Sequence, residues 1–342
     1  MKDKKVLFMG TPLFATVVLD ALIRNTNVVG VVCQNDKIVG RKKVFTKCPV
    51  KVMAEEHNIK VYQPINLKQE YKELLQDEPD IIITCAYGKI LNEELINYPK
   101  YKTINVHASL LPFLRGAAPI NWAIRLGYKE TGLTAFVLSD KIDHGDIIAN
   151  TRVKIAAGEK YTTLYKKLSN ACVDFTGRVI EDVLQHEDWK DCLIAQPSWN
   201  HEYEYIINAH KVNSDYFHCH WSRFDCERMQ RMVNSVDNVG LPCIIYVIDE
   251  DNKEKKFEAK IYDVEVVNKE ETPMNVQTLY CESDGKTFVR LNLADCGKCV
   301  YIKRIQLAGK KIMNIEDFLN GFRYFRENKT VIITDLMEAD NE

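Results

Sequence analysis

Hydrophobic positions in the first half of the chain come in short unbroken runs that alternate with amphipathic stretches. Lys5 to Met9 is an apolar run ended by Gly10, and Pro12 stands where a helix starts. Phe14 to Arg24 carries apolar residues at helical spacing, and Val28 to Cys33 is the next strand-like run. The alternation continues with helices at Val50 to His57 and Leu67 to Gln76, then the buried-type run Asp80 to Cys85. Thr103 to His107, Leu133 to Leu138 and Ile147 to Ile155 read as further strands, and Thr162 to Gln185 as a long amphipathic helix closing the domain. Strands separated by helices predict an α/β fold with a doubly wound, mostly parallel sheet.

The pattern then changes. Residues 191–215 lose periodicity and read as a linker. Beyond them come a helix, Arg223 to Ser235, and short alternating strands at Cys243 to Ile248, Phe257 to Val267, Lys286 to Leu293 and Cys299 to Gln306. Short strands with one helix predict a small β barrel. Asn314 followed by Asp317 resembles a capped start to a last helix, Ile315 to Phe325. The expected organisation is an α/β domain over 1–190, a linker over 191–215, a barrel domain over 216–330 and an acidic tail over 331–342.

Charge adds a polarity that the total hides. The chain of 342 residues is formally −2, yet residues 1–200 carry +4 and the remainder −6, four of those acids lying from Asp335 to Glu342 in what reads as a solvated tail. The loop from Lys37 to Lys51 holds six basic residues (Lys37, Arg41, Lys42, Lys43, Lys47, Lys51) and no acid. Eleven cysteines are scattered through apolar, strand-like contexts. No signal peptide or transmembrane run is seen, so reduced thiols and a cytoplasmic location are expected. Gly10-Thr11-Pro12 is not a G-x-G-x-x-G fingerprint, and no acidic residue ends the second strand, which disfavours a nicotinamide enzyme. Cys296 and Cys299 form a C-x-x-C with His218, Cys219, His220 and Cys226 as possible partners. That spacing lies outside common zinc patterns, and Gly-Lys between strands is also an ordinary turn, so no metal is expected.

Candidate chemistry gathers on Thr103 to His107. Side chains alternate along a strand, so Asn105 and His107 point to one face. An Asn donor can hold a developing oxyanion, and a His beside it can move a proton. A buried Asn and His that merely satisfy each other would read the same way.

The longer pattern N-V-H-A-S-L-L-P (Asn105 to Pro112), R-G-A-A-P-I (Arg115 to Ile120) and D-H-G-D (Asp143 to Asp146) resembles the active-site segment of the formyltransferases that use 10-formyltetrahydrofolate. The resemblance begins at Phe8 to Ala15. It continues through Gln34-Asn35-Asp36, Gly40-Arg41, Pro49-Val50-Lys51 and Ala86-Tyr87-Gly88, weakens across residues 190–295, and returns at Leu307 to Lys311 and Asp317-Phe318-Leu319. It implies an OB-like second domain and formyl transfer to the free amino group of initiator methionyl-tRNA. Asn105 and His107 would then be catalytic with Asp143, whose spacing of thirty-six residues after the His selects it over Asp146. Tyr87, Gly88, Ile90, Ser109, Leu110, Leu111 and Pro112 would wall the folate pocket, because a flat pterin needs apolar faces and backbone hydrogen bonds at its edge.

The same resemblance implies that Arg41, Lys42 and Lys43 contact tRNA, with Lys310 and Lys311 in a second positive segment that also holds Lys303, Arg304, Arg323 and Arg326. Asn35 and Lys42 depart from the family pattern, which has proline and glycine there, and His144 replaces a small residue. Arg115-Gly116 would help a negatively charged partner or cap the next helix. The expected molecule is a monomer that binds no metal and no membrane. Two rivals remain: a formyltransferase acting on an amino sugar, against which the basic loop argues, and a domain that only binds folate or RNA, against which the intact Asn, His and Asp argue.

Overall fold

The computed structural model describes residues 1–39, 43–186, 189–197, 208–248, 251, 253–268, 281–291, 293, 297–326 and 330–336. They form two compact units, one of Met1–Pro119, Glu130–Lys154 and Tyr165–Ala209, the other of Ile120–Lys129, Ile155–Leu164 and His210–Glu342.

The first unit is built on a seven-stranded sheet. Its strands are β1 (Lys5–Gly10), β2 (Asn27–Val32), β5 (Val61–Tyr62), β6 (Ile81–Cys85), β7 (Thr103–His107), β8 (Glu130–Val137) and β9 (Ile147–Lys154), in the order β5-β2-β1-β6-β7-β8-β9. β5 through β7 run parallel, and β8 and β9 add two antiparallel strands, so the sheet is mostly parallel. β1 and β6 are buried along nearly their whole length, which is why they read as continuous apolar runs rather than alternating ones. Helices α1 (Leu13–Asn25), α2 (Pro49–Glu56), α3 (Leu67–Leu74) and α4 (Glu93–Asn97) connect the strands; α5 (Pro119–Arg125), between β7 and β8 in the chain, belongs to the second unit from Ile120 on, and α6 (Tyr161–Gln185) joins the first unit from Tyr165. Pro49 opens α2 at its first turn, and the Asn66 side chain caps α3 by accepting from the Lys68 N–H at 3.2 Å. Leu168, Cys172, Phe175, Val179 and Val183 recur three or four apart on α6 and are all buried, one apolar stripe on an otherwise polar helix.

A hairpin, β3 (Lys37–Val39) and β4 (Val44–Thr46), lies within the basic loop and has no counterpart in the hydrophobic pattern. It leaves Ile38, Val44 and Phe45 exposed.

The second unit holds α7 (Ser214–Phe217), α8 (Cys226–Asn234), strands β10 (Leu241–Ile248), β11 (Glu254–Asn268), β12 (Cys281–Ser283), β13 (Val289–Leu291), β14 (Lys298–Leu307), β15 (Met313–Asn314), α9 (Ile315–Gly321) and β16 (Thr330–Thr334). The antiparallel order is β12-β13-β14-β11-β10-β16, and the Cys281 thiol reaches the Val331 carbonyl at 3.1 Å, so the two ends of the sheet approach each other in a nearly closed barrel. Trp221, Met229, Ile245, Ile261, Ile305 and Phe318 lie in its core. Three details differ from the expectation. β16 occupies the start of the segment read as an acidic tail. Asp335 is buried and accepts from the Trp221 N–H at 2.7 Å, because a terminal strand fills the free edge beside β10. Asn314 holds the N-cap position of α9 without a side-chain capping bond.

All ten cysteines among the described residues are free thiols. Burial pushes the Cys33, Cys85, Cys172, Cys243 and Cys281 thiols up, that of Cys172 to about 11, so these act as small apolar fillers. Cys296, half of the C-x-x-C, lies outside the described residues, and Cys219 and Cys226 are buried in the second unit. No described helix is long and apolar enough to cross a membrane.

Candidate functional site

Strand pairing places the first two residues. Asn105 stands opposite Thr84 of β6 and Phe136 of β8, and His107 opposite Thr134. The Thr84 hydroxyl donates to the Asn105 side-chain amide oxygen, Oδ1, at 2.7 Å. That bond fixes the amide rotamer and leaves the NH₂ end, which has no partner among the described residues, as the donor an oxyanion requires. His107 is buried, and its Nε2 lies 3.0 Å from the Leu114 carbonyl oxygen. A carbonyl only accepts, so Nε2 carries a hydrogen in every state and the exchangeable proton belongs to Nδ1.

Nδ1 faces the Asp143 carboxylate at 3.8 Å, ion-pair range but longer than a hydrogen bond. Because β8 runs against β7, its far end pairs beside the start of β7, Val137 with Ile104. Residues 138–146 therefore turn back along the sheet, and that return brings Asp143 to His107. The Asp143 carboxylate is held by the Gly116 N–H at 2.8 Å. Asp143 itself adopts φ +56°, a left-handed conformation costing roughly 1–2 kcal/mol for an ordinary L-residue and less for Asp. Gly116, at φ +117°, has the Ala209 carbonyl oxygen 2.7 Å from where a Cβ would stand, so no side chain fits there. Asp146, the competing carboxylate, is exposed, and its backbone carbonyl pairs with the Val137 N–H at 2.9 Å.

The Asp143 turn is locked from behind. Its carbonyl oxygen accepts from Arg115 Nε at 3.1 Å and Gln196 Nε2 at 3.0 Å. Gln196 Nε2 also donates to the Gly145 carbonyl at 2.8 Å, and Gln196 Oε1 accepts from Arg115 Nη2 at 2.7 Å. Arg115 Nη1 meets His144 Nε2 at 2.8 Å, and His144 Nδ1 meets the Ile142 carbonyl at 2.6 Å. A guanidinium only donates, so Nε2 of His144 accepts and Nδ1 carries the hydrogen. Burial pulls the Arg115 guanidinium down from its ordinary value while the Asp143 charge opposes that, and an arginine stays cationic throughout. The described contacts of the Arg115 guanidinium all lie inside this network. His144 is exposed, yet it is tied into the same turn.

The expected folate-wall residues occupy two turns. Thr134 Oγ1 donates to the Ser109 carbonyl at 2.7 Å and accepts from the Leu111 N–H at 3.1 Å, which buries Ser109 and Leu111 and leaves Leu110 and Pro112 half-exposed. After β6, the Tyr87 carbonyl accepts from Thr11 and Gln34, tying the loops that follow β1, β2 and β6. Gly88 packs against Gln34. The Tyr87 ring is turned into an apolar cluster with Leu7, Met9 and Leu95, and burial pushes its hydroxyl up to about 12. Ile90 is exposed, as are Phe113 and Ile142, two apolar residues the sequence did not single out.

Arg41 and Lys42 lie outside the described residues. Lys43 is exposed at the turn of the basic hairpin. Lys47 pairs with Glu55 at 2.7 Å, and Lys51 is an internal strut, 2.7 Å from both Asp36 and Gln63. In the second unit Lys310 and Lys311 are exposed in the turn between β14 and β15, while Lys303 pairs with Glu265 at 2.9 Å.

Residues 4–180 match the formyl transferase family, and residues 214–323 match the formyl transferase C-terminal domain. Methionyl-tRNA formyltransferases of Bacillus cytotoxicus and Bacillus mycoides are 47% and 48% identical over 184 residues, which is 53% of this chain and 59% of each relative. The match thus spans less than two thirds of those relatives. The fold is shared with an N-formyltransferase from Helicobacter canadensis (TM-score 0.59, 16% identity, 89% of this chain and 99% of that one). It is also shared with a 4-N formyltransferase from Francisella tularensis (TM-score 0.52, 19% identity, 75% and 97%).

Proposed function

The chain belongs to the formyl transferase family, and from that premise we propose that it moves a formyl group from 10-formyltetrahydrofolate to the free amino group of initiator methionyl-tRNA. The observation that carries the reading is the convergence of an oriented amide donor on Asn105, the Nδ1 of His107 and the Asp143 carboxylate. The amine nitrogen attacks the formyl carbon, whose oxygen becomes an oxyanion; the carbon–nitrogen bond to folate then breaks. The amine gives up a proton and the folate nitrogen gains one. An α-amino group titrates near ~7.7–8.0, so free amine is available without a strong base. Asn105 donates to the oxyanion. His107 carries a proton at Nδ1, and Asp143 faces that nitrogen and orients what passes there. The step balances without a metal ion.

The pterin needs apolar faces and a backbone edge. Ile90, Phe113 and Ile142, on the loops after β6 and β7 and on the loop bearing Asp143, supply exposed apolar surface, and Leu110 and Pro112 are half-exposed between them in sequence. Lys43, Phe45 and Ile38 on the hairpin, with Lys310 and Lys311 on the second unit, supply cations and apolar surface of the kind that follows a nucleic acid. The reading is tested by incubating pure protein with 10-formyltetrahydrofolate and either charged initiator tRNA or an amino-sugar nucleotide. Formyl-methionyl-tRNA is the expected product. Formylation of the sugar alone would replace the acceptor, and formylation of neither would remove the enzymatic reading.

Arg41, Lys42 and Lys43 give a second expectation. Removing one cation that neutralises a phosphate should lower the salt slope of tRNA binding by about 0.7–0.9. Arg41→Ala should sharply weaken tRNA formylation and leave folate affinity alone, with smaller, more salt-sensitive effects for Lys42→Ala and Lys43→Ala. A triple alanine variant with unchanged tRNA kinetics at low and physiological salt would make the run a solvated face.

A further inference from the structure

We propose that Gln196, acting with Arg115, is a positioning residue that sets the Asp143 carboxylate against His107. The inference deepens the formyl-transfer reading and rests on Asp143 belonging to that site. Gln196 comes from the segment after α6, far in sequence from the other members, and its placement is not left to its own side chain. Ile194 and Ile147 exchange backbone hydrogen bonds at 2.8 and 2.9 Å, a bridge that registers residues 193–197 against the start of β9. Two residues on, the Gln196 amide is used to capacity. One N–H goes to the Asp143 carbonyl and the other to the Gly145 carbonyl, while its oxygen takes both Nη2 and Nε of Arg115. A side-chain amide has two donors and one accepting oxygen, and here both donors are spent on one turn and the oxygen on the arginine behind it.

The turn needs that hold. Asp143 sits in a left-handed conformation that persists only when its surroundings over-determine it. Its carboxylate has a separate anchor, the Gly116 N–H, which sits next to Arg115 in the chain. Arg115 therefore ties the two sides together: its backbone neighbour holds the carboxylate, and its guanidinium holds the peptide behind it. Without Gln196, the Gly145 carbonyl loses this donor, the Asp143 carbonyl keeps only Arg115 Nε, and the buried guanidinium loses its amide acceptor. The left-handed residue is then free to relax, and misplacing a reacting-site group by about 1 Å costs on the order of 10²-fold in rate.

The Gly116 amide reports on Asp143 directly and needs no tRNA. Its hydrogen exchange and NMR shift are compared in the wild type, Asp143→Ala, Gln196→Ala, Gln196→Met and Gln196→Glu. Asp143→Ala calibrates the loss of the bond. Gln196→Ala and Gln196→Met should move Gly116 most of the way to that state, with protection in β1 and β6 retained. Gln196→Glu keeps an acceptor for Arg115 but sets oxygens against both carbonyls, so it should behave like the alanine variant. Turnover with the formyl donor should fall about 10–100-fold in all three Gln196 variants, with the KM for folate near wild type.

Wild-type Gly116 exchange in Gln196→Ala and Gln196→Met would overturn the proposal. So would full function in Gln196→Glu, which would reduce Gln196 to a partner for Arg115. No change at Gly116 in Asp143→Ala would overturn it as well, since the reporting bond would not exist. A wild-type protein that transfers no formyl group counts against the function reading alone, and the Gly116 comparison still decides the positioning.

Discussion

Asn105→Ala is expected to slow formyl transfer by about 10²–10³-fold while leaving fold and folate affinity near wild type. Thr84 holds the amide oxygen at 2.7 Å, so the NH₂ is already aimed before substrate arrives, and a preorganised donor of this kind acts mainly in the transition state. The effect should therefore fall on kcat rather than KM. His107→Ala should cost a comparable amount, within the 10²–10⁴-fold typical of a positioned proton carrier. Asp143→Ala should join them, and Asp146→Ala should keep most activity, because its carboxylate is exposed. Steady-state kinetics with folate binding measured separately checks all four. Near-normal turnover in Asp143→Ala with a crippled Asp146→Ala would reverse the choice of carboxylate.

Gly145→Ala should be as damaging as loss of Asp143, and through a different route. A Cβ at Gly145 would stand 1.6 Å from the Val137 carbonyl oxygen and 2.8 Å from its carbon, and both are backbone atoms of the sheet. Neither can swing away, so the turn that presents Asp143 must move as a body. Overpacking of this kind costs about 1–3 kcal/mol, a fall of several degrees in Tm, and here the displaced element also carries Asp143, the proposed partner of His107. Turnover and thermal unfolding together test it. Gly321→Ala, where nothing lies within 4 Å, is the matched control and should leave both unchanged. Wild-type activity in Gly145→Ala would mean that the turn tolerates displacement and that Asp143 need not be held closely.

Much of the molecule was legible from one dimension, because hydrophobic periodicity is a local signal. Lys5 to Met9, Asp80 to Cys85 and Thr103 to His107 read as strands, and the long stripe from Thr162 to Gln185 as a helix, with ends within a residue or two of those observed. Asn105 and His107 could be placed on one face because strand alternation needs only the two residues between which it acts. The short exposed hairpin β3–β4 escaped, since Ile38, Val44 and Phe45 face outward and leave no buried alternation. β16 escaped because five residues at a chain end carry too little periodicity to separate strand from tail.

What the chain determined by itself was the residue types and their reading frame: an amide and an imidazole two apart, a carboxylate thirty-six residues on, and the apolar runs that force a sheet beneath them. What only the tertiary structure decided was their relation. Thr84 meets Asn105 because β6 and β7 pair in one register, and a one-residue slip would turn every side chain to the other face. Asp143 reaches His107 because β8 reverses and the loop must return, and Gln196 reaches Asp143 because a two-residue bridge docks it on β9. These pairings join residues tens of positions apart, and no local propensity encodes them. They follow from burying the sheet and satisfying each polar group that the burial removes from water.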